Sequence, residues 1–245
     1  MRTIKLTIEY DGTEYLGWQS QPDGKTIQGV LEETLKQITG EKVHVIGSGR
    51  TDAGVHALAQ VAHFRTESPI DLTSLQRALN SLLPKDILIK RVEEMDKDFH
   101  AQKKAKSKVY EYRILNQPLR SVFHRQYSWH IPQKLDEEAM SKAALFLIGE
   151  HDFSSFRSSG TPTKTPVRKV FRAEWKKDRG GILRFEIEAN GFLKQMVRTI
   201  VGTLVEVGKG KISPEEFKEI LHSKDRKRAG PTAPPHGLFL KEVKY

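Results

Sequence analysis

The sequence predicts an α+β protein made of two similar halves, each an antiparallel sheet with helices on one face. Three observations carry this. Segments with apolar residues at every second position alternate with segments whose apolar residues recur at helical spacing. Through residues 1–105 their order is β-α-β-β-α-β, a split-βαβ arrangement. Residues 95–108 are then polar and lysine-rich, a crossing into a second half at 106–245.

Taken in order, residues 3–10 put Ile4, Leu6, Ile8 and Tyr10 on one face and Thr3, Lys5, Thr7 and Glu9 on the other, the signature of a half-buried strand. Asp11-Gly12 turns the chain, and Tyr15 to Gln19 form a polar loop in which Trp18 is read as buried. Thr26 caps a helix with Ile27, Val30, Leu31, Thr34, Leu35 and Ile38 on one stripe, stopped by Gly40. Val43 to Ile46 and Leu58 to Arg65 read as strands on either side of a glycine-containing loop. A second helix runs from Leu72 to Leu83, with Leu72, Leu75, Ala78, Leu79, Leu82 and Leu83 inward and Pro84 ending it. Ile87 to Val92 closes the half, which has the order of ferredoxin-like and RNA-recognition folds.

The second half opens with a strand over Lys108 to Ile114, with Tyr110, Tyr112 and Ile114 on one face, and Gln126 to Ile131 reads as its partner. Asp136 caps a helix carrying Ala139, Met140, Ala143, Ala144, Leu147 and Ile148, ended at Gly149. Residues 151–166 are a Ser/Thr/Pro-rich loop long enough to be functional. Val167 to Lys176 and Ile182 to Asn190 form a hairpin across Asp178-Arg179-Gly180-Gly181. Phe192 to Val207 is helical and apolar on a wide face, Ser213-Pro214-Glu215-Glu216 opens a short basic helix, and Leu238 to Val243 completes the half as a strand. Two such sheets joined edge to edge would enclose a central basic cleft.

Composition narrows the function. Lys plus Arg total 41 against 31 Asp plus Glu, a net charge of +10, which points to a polyanionic partner. There is no cysteine, so disulfides, thiol nucleophiles and Cys-ligated zinc are excluded. The histidines are scattered without metal-ligand spacing, so no metal is expected. The first residues lack the apolar core of a signal peptide, and the helix from Phe192 is interrupted by Lys194, Arg198 and Glu206. A soluble cytoplasmic protein without a membrane association is expected.

Gly49-Arg50-Thr51-Asp52-Ala53-Gly54-Val55-His56-Ala57 concentrates two kinds of chemistry, glycines that permit close backbone approach and charged groups to be presented. An Asx-type turn is the plain alternative for Asp52. The stretch closely resembles the signature loop of the tRNA pseudouridine synthase A family. So do Tyr10-Asp11-Gly12-Thr13, Gly17-Trp18-Gln19, Thr26-Ile27-Gln28, Gln60-Val61-Ala62-His63-Phe64, Phe99-His100-Ala101, Asp152-Phe153-Ser154-Ser155-Phe156 and Met196-Val197-Arg198. The resemblance implies conversion of uridine to pseudouridine at positions 38–40 of the tRNA anticodon stem-loop, by a homodimer and without a cofactor.

It also implies roles. Asp52 is the catalytic carboxylate, Tyr110 packs on the uracil, Arg50 holds the nucleotide once its base has left the stack, and Arg198 supplies the opposite charge a desolvated carboxylate needs to stay ionised. Asp52 could attack the ribose, attack the base, or take a sugar proton; sequence leaves the three open. After Phe99-His100-Ala101 the family continues with Arg and an aromatic, whereas this chain has Gln102-Lys103. Basic runs at Lys103, Lys104, Lys106 and Lys108, at Lys164, Arg168, Lys169 and Arg172, and at Lys224, Arg226, Lys227 and Arg228 fit phosphate backbone. A non-catalytic RNA-binding protein of two RNA-recognition-like sheets is the competing reading, but a carboxylate facing phosphates would only repel its ligand. A paralogous synthase acting on other uridines is a third.

Overall fold

The computed structural model describes residues 1–158, 165–178 and 180–245; Lys164 of the second basic run and Arg179 of the hairpin turn lie outside them. Along the chain the elements are β1 (Arg2–Tyr10), α1 (Ile27–Thr39), β2 (Ile46–Gly47), β3 (His56–Thr66), α2 (Leu72–Leu82) and β4 (Ile87–Met95). They continue with β5 (Ser107–Asn116), β6 (Trp129–Ile131), α3 (Glu137–Leu145), β7 (Gly149–Asp152), β8 (Val167–Lys177), β9 (Ile182–Ala189), α4 (Met196–Gly208), α5 (Pro214–Ser223) and β10 (Leu238–Lys244). The protein is α+β. It divides into two compact units, Met1–Lys106 with Phe239–Tyr245, and Ser107–Leu238.

In the first unit the strand order is β4-β1-β3-β10, with β2 also on β3. The period-2 pattern of β1 is realised literally: Ile4, Leu6 and Ile8 are fully buried, and β1 pairs antiparallel with both β3 and β4. Thr26 accepts from Gly29 N at 3.2 Å to start α1, whose Ile27, Leu31 and Leu35 are fully buried. Helix α2 packs on α1 and β4 and buries Leu75 and Leu79. Leu82, expected inward, is 53% exposed, because the helix ends there and Leu83 takes the buried place. Strand β2 is shorter than expected, and β3 begins two residues early, at His56. Those two extra residues pair in parallel with β10, Phe239 opposite His56 and Leu240 opposite Ala57. The last strand, read from sequence as completing the second half, therefore groups with the first unit.

The second unit has the order β5-β9-β8-β7, antiparallel throughout, with β6 added to β5 in parallel. Helix α4 packs on β5, α3 and α5. Strand β7 and a 3-10 turn at Ser154–Phe156 occupy the start of what reads as a loop, where Phe153 and Phe156 are fully buried. Ile148, placed on the inner stripe of α3, is 44% exposed, since α3 stops at Leu145. Among the described residues no helix is long and apolar enough to cross a membrane.

Candidate active site

Asp52 sits on the connection between β2 and β3, and the residues that lead into it are tied to two strands. The Tyr10 hydroxyl on β1 shares a 2.8 Å hydrogen bond with Thr51 Oγ1. Gln60 on β3, fully buried, donates from Nε2 to the Gly49 carbonyl at 2.9 Å and accepts from Ser48 Oγ at 2.8 Å. Burial pushes the Tyr10 hydroxyl up to about 12, so it is a neutral bonding group and not a proton source near neutrality.

The connection between β1 and α1 crosses the same loop at backbone distance. Trp18 N donates to the Thr51 carbonyl at 3.0 Å and Gly54 N to Tyr15 at 3.3 Å. That proximity explains two of the glycines: a Cβ at Gly12 would lie 2.1 Å from the Val55 carbonyl oxygen, and one at Gly17, which has a φ of +97°, 2.5 Å from that of Thr51. Gln28 in α1 anchors the crossing segment, accepting from Gln19 and Ser20 N and donating to the Val45 carbonyl. His56 Nδ1 accepts from Gly12 N at 3.0 Å and lies 3.1 Å from Asp11 Oδ1, while its ring stacks on Phe239. The outcome is an alternation: Arg50 exposed, Thr51 buried, Asp52 part-exposed, Val55 and His56 buried. The main chain closes a turn here, Val55 N donating to the Asp52 carbonyl at 3.2 Å.

The segment Phe99-His100-Ala101 packs on β3 in the same unit. His63 Nδ1 accepts from Ala101 N at 3.2 Å, Phe99 meets the His63 ring edge-on, and Tyr245 donates to the Ala101 carbonyl at 2.8 Å. Burial, and His100 beside it, bring His63 down from 6.5 to about 4, so it remains neutral. Gln102 and Lys103, where the chain departs from the family pattern, are exposed, and their backbone N–H groups donate to His100 Nδ1.

In the second unit Tyr110 is buried on β5, its ring edge-on to Phe192 at 5.0 Å. Phe192 is free to do this because α4 starts at Met196 and not at Phe192; Gln195 adopts a φ of 59° and breaks the helix there. Arg198, in the first turn of α4, donates from Nε to the Ala233 carbonyl at 2.7 Å, and Ala233 N donates back to the Arg198 carbonyl at 3.0 Å. The segment carrying Ala233 lies against α4 so closely that a Cβ on Gly202 would be 1.7 Å from the Pro231 oxygen. Tyr112 pins the segment's far end through its hydroxyl, bonded to the Pro234 carbonyl at 2.8 Å. Not every cation of the basic runs is available to a ligand: Arg172 meets Glu174 and Glu186, and Arg226 holds the carbonyls of Ala229 and Gly230.

A family model described as tRNA pseudouridine synthase matches residues 6–102 and 143–245. The chain belongs to that family. Relatives named tRNA pseudouridine synthase A are 52% identical in Acetivibrio thermocellus, 50% in Caldicellulosiruptor saccharolyticus and 46% in Pelobacter propionicus, each over 245 residues and all of both chains. Among solved structures, an archaeal box H/ACA sRNP Nop10-Cbf5 complex aligns with a TM-score of 0.36 at 12% identity, over 92% of this chain and 60% of that one, too distant to carry an argument.

Membership gives the scattered motifs a common physical purpose. Tyr10, Gly12, Trp18 and Gln60 bond directly to the Asp52 loop, and Gln28 holds the segment that crosses it. Sequence reasoning missed Gln60 and Thr51 as supports and Phe192 as the partner of Tyr110. A buried glutamine in a strand otherwise rich in apolar residues was the available signal for the first.

Proposed function

We propose that this synthase isomerises uridine to pseudouridine at positions 38–40 of the tRNA anticodon stem-loop, as a cytoplasmic homodimer. The N1–C1′ bond of the nucleotide breaks, the base turns, and C5 bonds to C1′; C5 gives up its proton and N1 gains one. Substrate and product are isomers, so the balance calls for no oxidant and no group donor. Asp52 serves as the carboxylate that attacks ribose or base, or removes a sugar proton, and that leaves unchanged. Arg198 supports its charge, Tyr110 packs on the uracil, and Arg50 fills the place of the extruded base.

The observation carrying this reading is the loop itself. Ahead of Asp52 the loop is tied to buried side chains of two strands, Tyr10 to the Thr51 hydroxyl and Gln60 to the Gly49 carbonyl, beyond it the buried His56 is bonded to Gly12, and yet Asp52 is part-exposed. Rigid support under an accessible ionisable group is what chemistry needs and what a binding loop does not. Purified wild type should form pseudouridine on a tRNA transcript, and Asp52→Asn, of the same shape without the charge, should form none while still binding. Near-normal product from the folded variant ends the assignment. Light scattering tests the dimer, and a fully active monomer refutes it.

A further inference from the structure

In the second unit the loop of residues 117–128 joins two parallel neighbours, β5 and β6, and its main chain is held at several points. His130 Nε2 is bonded to the Gln117 carbonyl at 2.8 Å, and Gln117 Nε2 donates to the Leu119 carbonyl at 2.9 Å. The buried Ser128 donates from Oγ to the His124 carbonyl at 3.0 Å, as does Tyr127 N at 3.0 Å. The side chains at the tip nevertheless face water. Phe123 at 84% and Leu119 at 79% are the two most exposed large apolar side chains among the described residues, and Val122 is 56% exposed. Single exposed apolar residues are ordinary, but three within five positions of a held loop point to a contact surface.

Charge says what the surface meets. From Tyr112 to Leu135 the chain contains no Asp or Glu, whereas Arg120, His124 and Arg125 stand exposed among the apolar residues of the loop. Among the described residues neither arginine has an ion-pair partner. Arg125 donates from Nη1 to the Val122 carbonyl at 2.6 Å, which fixes its guanidinium on the turn that carries Phe123. A second copy docking loop to loop would set these cations against their own duplicates. Unpaired RNA suits the set: an aromatic face takes a base of any kind, and guanidinium groups take the phosphates beside it. A ring as exposed as Phe123 does not enclose a reacting nucleotide, so the base is another than the uridine handled at Tyr110.

We propose that this loop is a further RNA contact, in which Phe123 stacks on an unpaired base of the tRNA outside the target uridine while Arg120 and Arg125 hold the flanking phosphates. This rests on the proposed function and adds to it a specific stacking contact. The test is a cycle between protein and RNA changes. A tRNA is assembled with one abasic residue at each unpaired position in turn, the target uridine excepted, and bound to wild type, Phe123→Ala, Phe123→Leu, Phe123→Trp and Arg120→Gln. Melting and light scattering are recorded for each variant.

In wild type one abasic position should cost about tenfold in affinity, the loss of one stacked base. Phe123→Ala and Phe123→Leu should bind intact tRNA about tenfold more weakly and be indifferent to that position, with unchanged melting and unchanged mass. Phe123→Trp, which keeps an aromatic face, should keep both affinity and sensitivity. Arg120→Gln should weaken binding, keep the sensitivity to the abasic position and flatten the salt dependence. Phe123→Leu behaving as wild type overturns stacking, since leucine offers apolar area without a ring. A loss of affinity in Phe123→Ala that comes with a change of mass also overturns the proposal, for the loop would then join two copies. If Phe123→Ala binds intact tRNA as wild type does while wild type forms pseudouridine, the contact is refuted and the synthase reading stands. Wild type that neither binds tRNA nor forms pseudouridine refutes both.

Discussion

Thr51 is buried between two charged neighbours that are not, and its hydroxyl is the fixed point on which their presentation depends. Thr51→Val preserves the shape and strips the bond, leaving the Tyr10 hydroxyl buried without that partner at a cost of about 1–3 kcal/mol. The expected kinetic signature is a fall in kcat larger than any change in KM, read by single-turnover pseudouridine formation, because the loop's position matters more to chemistry than to RNA capture. His63 gives a pH signature of a different kind. Its folded form titrates near 4 against 6.5 when free, so the unfolded chain binds a proton that the folded one refuses. Stability is therefore full above pH 6.5 and falls as pH drops towards 4, by up to about 3 kcal/mol from this group. Urea midpoints measured between those limits should fall in wild type and flatten in His63→Gln. The loop that presents Asp52 and Arg50 was legible from its glycines and from its resemblance to the family's signature stretch. Tyr10 was read only as one more residue on an apolar face, since nothing local announces a partner forty residues downstream.

At the scale of elements, α4 shows what periodicity can and cannot say. Its apolar stripe was plain, but the stripe runs on through Phe192 and Leu193, and only the left-handed backbone at Gln195 marks the true start. Strand β7 escaped because its residues alternate weakly and sit in a polar stretch. Helix α4 also carries a prediction. Gly202→Ala would raise intrinsic helix propensity by about 1 kcal/mol, yet the new Cβ would meet the Pro231 oxygen 1.7 Å away. The segment must move, so the variant should melt lower, losing on the order of 1–3 kcal/mol. It should also lose turnover, because Ala233 on the same segment holds Arg198. A variant that melts higher with unchanged activity would show that the contact is unimportant.

For the whole molecule, charge and order of synthesis matter most. With a net charge of +10, tRNA affinity should drop steeply with salt, log K falling by about 0.7–0.9 per phosphate neutralised for each decade of salt; titration across a range of potassium chloride concentrations measures it, and a flat line refutes it. The α+β class and the split-βαβ order were readable from pattern, whereas the allegiance of the last strand was not, because pairing across the length of a chain leaves no trace in local spacing. That allegiance has a consequence in time. Ser107–Leu238 is contiguous and can fold as it leaves the ribosome, whereas the first unit lacks Phe239–Tyr245 until they are made. Until then His56 and Ala57, which end the Asp52 loop, have no β10 beside them, and His56 lacks the Phe239 ring. Until β10 is made, the Asp52 loop thus stands on an unfinished support.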